Sequence, residues 1–168
     1  MSKTTNTREN GFEKHIVDHL VNTNGYVLRT SKDYDTINCV DSELLFQFLD
    51  TTQPKAVEKL KRYHKELYQQ KIIKRIIDQI KLKGIIEVLR KGVIDGFTDT
   101  KIRLFYDKPV SAYNTKNTEL YQANIFSVMR QVYYATKNKN SLDVVSFING
   151  LPIISFELKN ELTNQNVK

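Results

Sequence analysis

The hydrophobic and polar positions of this chain follow two different periods, helical in the first half and strand-like near the end. In residues 11–21 a hydrophobic side chain recurs at every fourth position from Phe12 to Leu20. This spacing predicts an amphipathic helix. Gly25 ends the pattern, and residues 26–30 predict a short strand.

The longest helical pattern lies between Asp41 and Gly92. Asp41 precedes a hydrophobic run, so it predicts the N-cap of a helix over residues 42–50. Pro54 then opens a second, longer helical region, because proline is tolerated in a first turn. Gly84 and Gly92 predict a break and an end of this region. Its hydrophobic stripe comprises Leu60, Leu67, Ile73, Ile76, Ile77 and Ile80.

The last third of the chain changes to a strand pattern. Residues 104–106 predict an extended segment, and residues 111–120 predict a polar loop. Residues 124–134 alternate and are rich in β-branched and aromatic side chains, which predicts a strand. Residues 141–160 predict two more strands around a turn. Both faces of these two strands are mostly hydrophobic, so we expect central strands that are covered on two sides.

Composition places the chain among ordinary folded proteins. Its 168 residues are 40% hydrophobic and 27% charged, which suits one domain and argues against disorder. The order of elements predicts an α/β or α+β plan, and we expect the α/β class. No hydrophobic run approaches the roughly 20 residues that cross a membrane. Residues 1–10 are polar, lack a signal peptide and predict a flexible N-terminus. Cys39 is the single cysteine and excludes an internal disulfide framework. We expect a cytoplasmic protein.

The positive charge is concentrated in one segment. The net charge is +7, and residues 55–91 hold 12 Lys or Arg against 4 Asp or Glu. The remainder is nearly neutral, with 14 basic and 15 acidic residues. Such a basic helical region suits a polyanion, and the attraction should weaken with salt. Lys71, Lys74 and Lys81 are its predicted DNA contacts. The alternative is a lysine-rich helical face that is merely solvated.

Three charged residues interrupt the hydrophobic strands of residues 141–160, namely Asp143, Glu157 and Lys159. An unpaired charge is costly to bury, so they need a reason. Carboxylate oxygens suit Mg²⁺ or Mn²⁺, and a bound metal ion makes hydroxide available from water. An ammonium group can offset the charge that grows on a phosphorus centre. The pattern therefore indicates phosphodiester hydrolysis. The alternative is an exposed Glu–Lys pair at a strand end, with Asp143 in a turn.

The turn between these strands sets which residues share a face. Asn149 and Gly150 first suggest a two-residue turn, which would leave Asp143 and Glu157 on opposite faces unless a bulge followed. A three-residue loop over residues 148–150, with Gly150 at positive φ, makes them diagonal neighbours within reach of one ion. We therefore predict the three-residue loop and all three charged residues on one face.

The run NIFSVMRQVYY…NKNSLDVVSFINGLPIISFELKN resembles the N-terminal nuclease domain of the restriction subunit of type I restriction–modification enzymes. Those domains belong to the PD-(D/E)xK nuclease superfamily. The resemblance rests on an Asn-x-Phe-x-Val strand, a Leu-Asp-x-Val strand, the NGLP turn and the FELKN strand, in this order. The segment FLDTTQPKAVEKL adds a weaker likeness.

The resemblance implies a restriction-endonuclease-like mixed β-sheet flanked by helices, with the catalytic strands in residues 122–160. By position, Asp143 matches the metal-binding aspartate, although Leu142 replaces the proline that usually precedes it. Glu157 matches the second carboxylate and Lys159 the catalytic lysine. A further metal ligand from the first helix would be Glu13, whose alternative is a solvent-facing helix position. Two residues of the neighbouring strand are expected to touch phosphate, namely Arg130 and Gln131.

What the resemblance implies is a metal-dependent endonuclease that cuts double-stranded DNA within an ATP-driven complex. Its expected partners are the modification and specificity subunits. Residues 1–168 contain no GxxxxGK[ST] motif and stop before the Gln-x-x-x-Tyr helix of related domains. We therefore expect a single nuclease domain that is a fragment of a larger subunit, to which ATP binding belongs. The alternatives are a repair or junction-resolving nuclease of the same superfamily, and a noncatalytic basic DNA-binding or assembly module.

Overall fold

A computed structural model describes residues 6–110, 115–134 and 140–158, with side chains from residue 11 onward. The described residues combine helices with two β-sheets, as the predicted α/β class requires. The helices are α1 Asn6–Asn24, α2 Ser42–Thr52, α3 Pro54–His64, α4 Tyr68–Lys83, α5 Ile85–Lys91 and α6 Thr115–Gln122. The strands are β1 Val27–Arg29, β2 Val93–Asp95, β3 Thr100–Ile102, β4 Phe126–Tyr133, β5 Ser141–Ile148 and β6 Leu151–Phe156.

The main sheet has four strands in the order β1-β4-β5-β6 and mixed directions. β1 runs parallel to β4, while β4, β5 and β6 form antiparallel neighbours. A parallel pair needs a long connection, and helices α2–α6 occupy that connection. The predicted mixed sheet with flanking helices is therefore confirmed. Within the described residues β5 is central, but β6 is an edge strand, so the expectation of two central strands is wrong for β6.

One face of the sheet is covered by α1. Val17 of this helix packs with Val128 of β4 and Val144 of β5. The predicted helix is confirmed, and it begins at Asn6, within the segment expected to be flexible. Its buried line differs from the predicted stripe, since Phe12 is 56% exposed while Glu13 is buried. The reason is that the sheet offers Glu13 a polar partner.

Helices α2–α5 form a second layer at the end of the sheet where β5 turns into β6. Leu151 at the start of β6 belongs to their hydrophobic core. The cap at Asp41 is confirmed, because its side chain accepts a hydrogen bond from the Leu44 amide. The predicted break at Gly84 and end at Gly92 are also confirmed. An additional break occurs at Lys65, whose φ of 51° starts a short 3₁₀ turn.

Two local predictions between residues 92 and 122 are wrong. The extended segment expected at residues 104–106 lies earlier, because β2 and β3 form a short antiparallel hairpin that ends at Ile102. The polar loop expected at residues 111–120 contains helix α6 from Thr115 onward, while residues 111–114 lie outside the described part. Neither element has a clear hydrophobic period of its own, so each depends on its contacts with the rest of the fold.

None of the helices in the described part of the chain is both long and apolar enough to cross a membrane.

Candidate active site

The turn between β5 and β6 has two residues, not the predicted three. Ile148 pairs with Leu151, so only Asn149 and Gly150 lie between the strands. Their φ angles are 50° and 79°, and positive φ at both central residues is what a type I′ hairpin turn requires. The predicted positive φ at Gly150 is confirmed, whereas the predicted loop over residues 148–150 is wrong.

The side chain of Asn149 explains why this turn is held. Asn149 is fully buried, and its Oδ1 accepts a hydrogen bond of 2.7 Å from the Ile125 amide. Its Nδ2 donates to the Leu104 carbonyl at 2.9 Å and to Asn124 Oδ1 at 3.0 Å. These bonds compensate for the left-handed backbone that asparagine tolerates better than most residues. The NGLP segment therefore forms the turn and, through the Asn149 side chain, also attaches the hairpin to other parts of the fold.

Gly150 is packed against the start of α2. Its carbonyl accepts a hydrogen bond of 2.8 Å from the Asp41 amide. A Cβ atom at this position would lie 2.2 Å from the Asp41 carbonyl oxygen. Only glycine fits such an approach, and this fixes one end of the β5–β6 hairpin on the helical layer.

A β-bulge then changes the register of the two strands. Phe147 pairs with Pro152 but Ser146 pairs with Ile154, so Ile153 is an additional residue in β6. Beyond the bulge, Val144 lies opposite Phe156, and both side chains contact the cluster beneath α1. Opposed residues share a face and successive residues alternate between faces.

The ladder ends at Val144 and Phe156, and its register, continued by one residue, places Asp143 opposite Glu157. Asp143 is half-buried, and its Oδ2 accepts a hydrogen bond of 2.6 Å from the Leu158 amide, which ties the two strand ends together. Glu157 is exposed, one residue beyond the end of β6. Lys159 lies outside the described residues. The bulge thus supplies the register that a shared metal ion requires, and the common site of these three residues stays a prediction.

Glu13 lies in a different environment from the other two carboxylates. Its side chain is buried, and Arg130 Nε donates to its Oε1 at 3.0 Å. The Glu13 carboxylate raises the pKa of Arg130 through this hydrogen bond. Gln131 Nε2 lies 3.4 Å and 3.5 Å from the same carboxylate, helped by a φ of 50° that interrupts β4. The structure therefore brings together Glu13, Arg130 and Gln131, which the sequence analysis had given separate roles.

In these contacts Glu13 serves as the ion-pair partner of Arg130, not as a metal ligand. Among the described side chains, no group of three His, Cys, Asp or Glu residues is placed to hold a metal ion. A buried carboxylate is stable here because a guanidinium group compensates its charge. The role of Glu13 as an additional metal ligand stays a prediction.

The predicted DNA contacts of the basic segment lie on α4. Lys71 and Lys74 line one cavity of about 380 Å³, together with Arg75. Lys81 lines a second, more apolar cavity of about 260 Å³ next to Ile77 and Ile80. All three lysines are exposed. Their positions are compatible with contact to a phosphate backbone, and that contact stays a prediction.

Several buried polar contacts were missed at the level of sequence. Arg29 of β1 donates to the buried Asp41 at 2.9 Å and to Glu43 at 2.6 Å. His64 lies 3.1 Å from Asp95 across the helical layer. The sequence signal for Asp95 was only local. Asp95-Gly-Phe-Thr is a turn sequence, in which the aspartate side chain accepts a hydrogen bond from a nearby backbone amide. The long-range partner cannot be read from such a signal.

A protein-family model described as type I restriction enzyme R protein N terminus matches residues 6–168. The match includes the β5–β6 hairpin and all the charged positions discussed above. No curated protein and no solved structure matches the chain.

Proposed function

Because this chain belongs to the family of type I restriction enzyme R protein N termini, we propose that it is a metal-dependent endonuclease domain. Its substrate is double-stranded DNA, and it hydrolyses phosphodiester bonds. The ATP-driven motor and the modification and specificity subunits that complete such an enzyme are its proposed partners. In this proposal ATP binding is assigned to the motor and not to residues 1–168, which carry no GxxxxGK[ST] motif.

The observation that supports catalysis is the β-bulge in β6, whose register, continued by one residue, puts Asp143 opposite Glu157. The bulge at Ile153 makes them successors of the pair Val144 and Phe156. Directly opposed residues have Cβ atoms about 5 Å apart, so two carboxylates at such positions fit one small cation between them. The donor set also fits, because Mg²⁺ prefers oxygen ligands and usually keeps several waters. When bound, the ion would lower the pKa of a coordinated water and polarise a phosphate oxygen.

The chain's own residues prepare this position in three ways. The Leu158 amide holds one oxygen of Asp143, which fixes the rotamer of that carboxylate. Glu157 is exposed in the described part of the chain, which suits contact with a large substrate. Lys159 follows Glu157 by two residues and offsets the negative charge that grows at the phosphorus centre.

A metal titration of the 168-residue chain tests the site. Calorimetry with Mn²⁺ or Mg²⁺ should show weak binding by the wild type. The double variant Asp143→Asn, Glu157→Gln should lose at least about 10-fold in affinity, since even outer-shell changes cost that much. A control with two other exposed acids removed, Glu66→Gln and Glu119→Gln, should bind as the wild type does. Equal metal uptake by the wild type and the Asp143, Glu157 variant would reject the site.

A further inference from the structure

The polar cavity that Lys71 and Lys74 line lies beside α4, separate from the strand ends that carry Asp143 and Glu157. It has a volume of about 380 Å³. One wall consists of Lys71, Lys74 and Arg75 of α4, and the opposite wall includes Gly96 and Phe97 of the β2–β3 turn. The proposed endonuclease site uses none of these residues.

The β2–β3 turn that forms one wall is held by its own polar contacts. Asp95 Oδ2 accepts hydrogen bonds from the Thr98 amide at 2.9 Å and from Thr98 Oγ1 at 2.7 Å. The other oxygen of Asp95 lies 3.1 Å from His64 Nε2. Asp95 is buried, so its charge is compensated by these partners rather than by water.

Two cationic side chains attach the same turn to the helices. Arg75 Nε donates to the Ile94 carbonyl at 2.9 Å, and Lys59 Nζ donates to the Thr98 carbonyl at 2.6 Å. The turn is therefore tied to both α3 and α4. A surface that is ordered before binding loses less conformational entropy when a ligand arrives.

Two aromatic rings are displayed beside this cavity. Tyr63 and Phe97 are stacked, with ring centroids 6.1 Å apart and an angle of 24° between planes. Tyr63 is 56% exposed and Phe97 is 73% exposed. The ring of His64 packs edge-on against both, which fixes the stack on the surface. A rigid, exposed aromatic stack is available for further stacking on its outer faces.

The charges around the cavity favour an anion. Lys71 makes no hydrogen bond or ion pair with any other described residue. Lys74 pairs with Asp78 at 2.8 Å, and both are exposed, so solvent competes with this pair. The second acid beside the cavity, Asp95, already has hydrogen-bond partners in His64 and Thr98. Three cations thus face one exposed carboxylate.

From this arrangement we infer that Tyr63, Lys71, Lys74, Arg75 and Phe97, here called the α4 groove, bind an unpaired segment of a DNA strand. The cations contact successive phosphates, while bases stack on the two rings. Basic grooves with aromatic stacking platforms bind single strands without sequence preference, because every base has a π-face. A duplex hides those faces, so the rings should add nothing to duplex binding. The identity of the polymer as DNA rests on the proposed function.

Fluorescence anisotropy with the 168-residue chain in EDTA tests this inference. The probes are a labelled oligothymidylate of about 12 nucleotides, within the range of single-strand site sizes, and a duplex of equal length. Phe97→Leu and Tyr63→Leu should each weaken oligothymidylate binding by about 5- to 100-fold, and should change duplex binding by less than about 2-fold. Lys71→Gln with Lys74→Gln should weaken both. Phe12→Leu and Lys116→Gln, exposed changes elsewhere, should alter neither.

The outcomes separate this inference from the proposed function. Unchanged oligothymidylate binding by both ring variants would overturn it, and so would equal losses for single strand and duplex. The metal titration of Asp143→Asn with Glu157→Gln is made without DNA and tests the endonuclease site alone. If that variant takes up metal normally while the ring variants lose oligothymidylate binding, the endonuclease site is rejected and the α4 groove stands. The ring positions are exposed, so unchanged thermal unfolding will verify that their variants are folded.

Discussion

Val144 and Phe156 lie opposite each other in the β5–β6 ladder, although the turn pairs Ile148 with Leu151. Continued without interruption, that turn would place Val144 opposite Ser155. The additional residue, Ile153, shifts the register by one and restores a common face for the two positions that follow. The candidate metal site therefore depends on a bulge, and the register it creates can be tested directly.

A cysteine pair tests the register. In a chain with Cys39→Ser, the substitutions Asp143→Cys and Glu157→Cys should form a disulfide on mild oxidation, because opposed Cβ atoms lie within bridging range. The pair Asp143→Cys and Ser155→Cys is the control, since the predicted three-residue loop would have placed these two residues opposite each other. Faster oxidation of the control pair, measured by electrophoretic mobility without reductant, would contradict the observed register.

Charge removal from α4 tests the basic segment. Lys71→Gln, Lys74→Gln and Lys81→Gln together should reduce the slope of log affinity against log salt for duplex DNA by about 2.7, if each lysine contacts one phosphate. Phosphate contacts carry no base information, so the loss should be equal for different sequences. Lys32→Gln, Lys101→Gln and Lys116→Gln remove the same charge from exposed positions elsewhere. Equal slopes for both triple variants would show that the α4 lysines are merely solvated.

Breaking the Glu13–Arg130 pair should destabilise the fold. Arg130→Met leaves a buried carboxylate without its partner, which costs about 3–5 kcal/mol in a fully buried pair. The Arg130 side chain is 37% exposed, so we expect about 1–3 kcal/mol in urea unfolding. Adding Glu13→Leu should recover most of the loss, because a hydrophobic pair replaces the ion pair. Lys14→Met, from an exposed pair with Asp18, should cost less than about 0.5 kcal/mol.

The hydrogen bonds of the Asn149 side chain should contribute more to stability than the tolerance of asparagine for positive φ. Asn149→Gly relieves the positive φ but removes the amide that serves Ile125, Leu104 and Asn124. We expect both Asn149→Gly and Asn149→Ala to lower the free energy of unfolding by about 2–4 kcal/mol, since buried partners are left unsatisfied. Asn22→Ala, an exposed change in α1, should have little effect. A stable glycine variant would show that φ, rather than the hydrogen bonds, selects asparagine here.

Stability in acid should depend on Asp95. Burial by itself would raise the pKa of Asp95, but hydrogen bonds from Thr98 and His64 hold that pKa below its usual range. Such a group stabilises the fold above the unfolded pKa of about 3.9, and this contribution is lost as pH falls through the folded pKa. Asp95→Asn should therefore cost about 1–2 kcal/mol at neutral pH, and the difference from wild type should shrink below about pH 4. A difference that stays constant with pH would contradict this reasoning. Asp99→Asn in the same turn is the control.

Much of the fold could be predicted from local features, namely hydrophobic periodicity and the residues that begin or end helices. The alternation of residues 124–134 predicted β4, and the aspartate before a hydrophobic run predicted the cap of α2. Gly84 and Gly92 ended helices because their backbones take positive φ, which other residues avoid. The pair Asp143 and Glu157 was also visible in the sequence, since charges are conspicuous in strands that are otherwise hydrophobic.

The tertiary structure decided what depends on partners far apart in the chain. Asn149 could be predicted as a turn residue, but its contacts with Leu104 and Asn124 hold the two-residue turn on the helical layer. Glu13 is buried because Arg130 faces it from β4, not because of its helical period. The bulge at Ile153 has no signal in a run of hydrophobic residues, where either face of the strand can be buried. Local sequence therefore determined which segments became helix or strand, while packing against distant residues determined register, because a shift of one residue changes every contact of a strand but none of its local preferences.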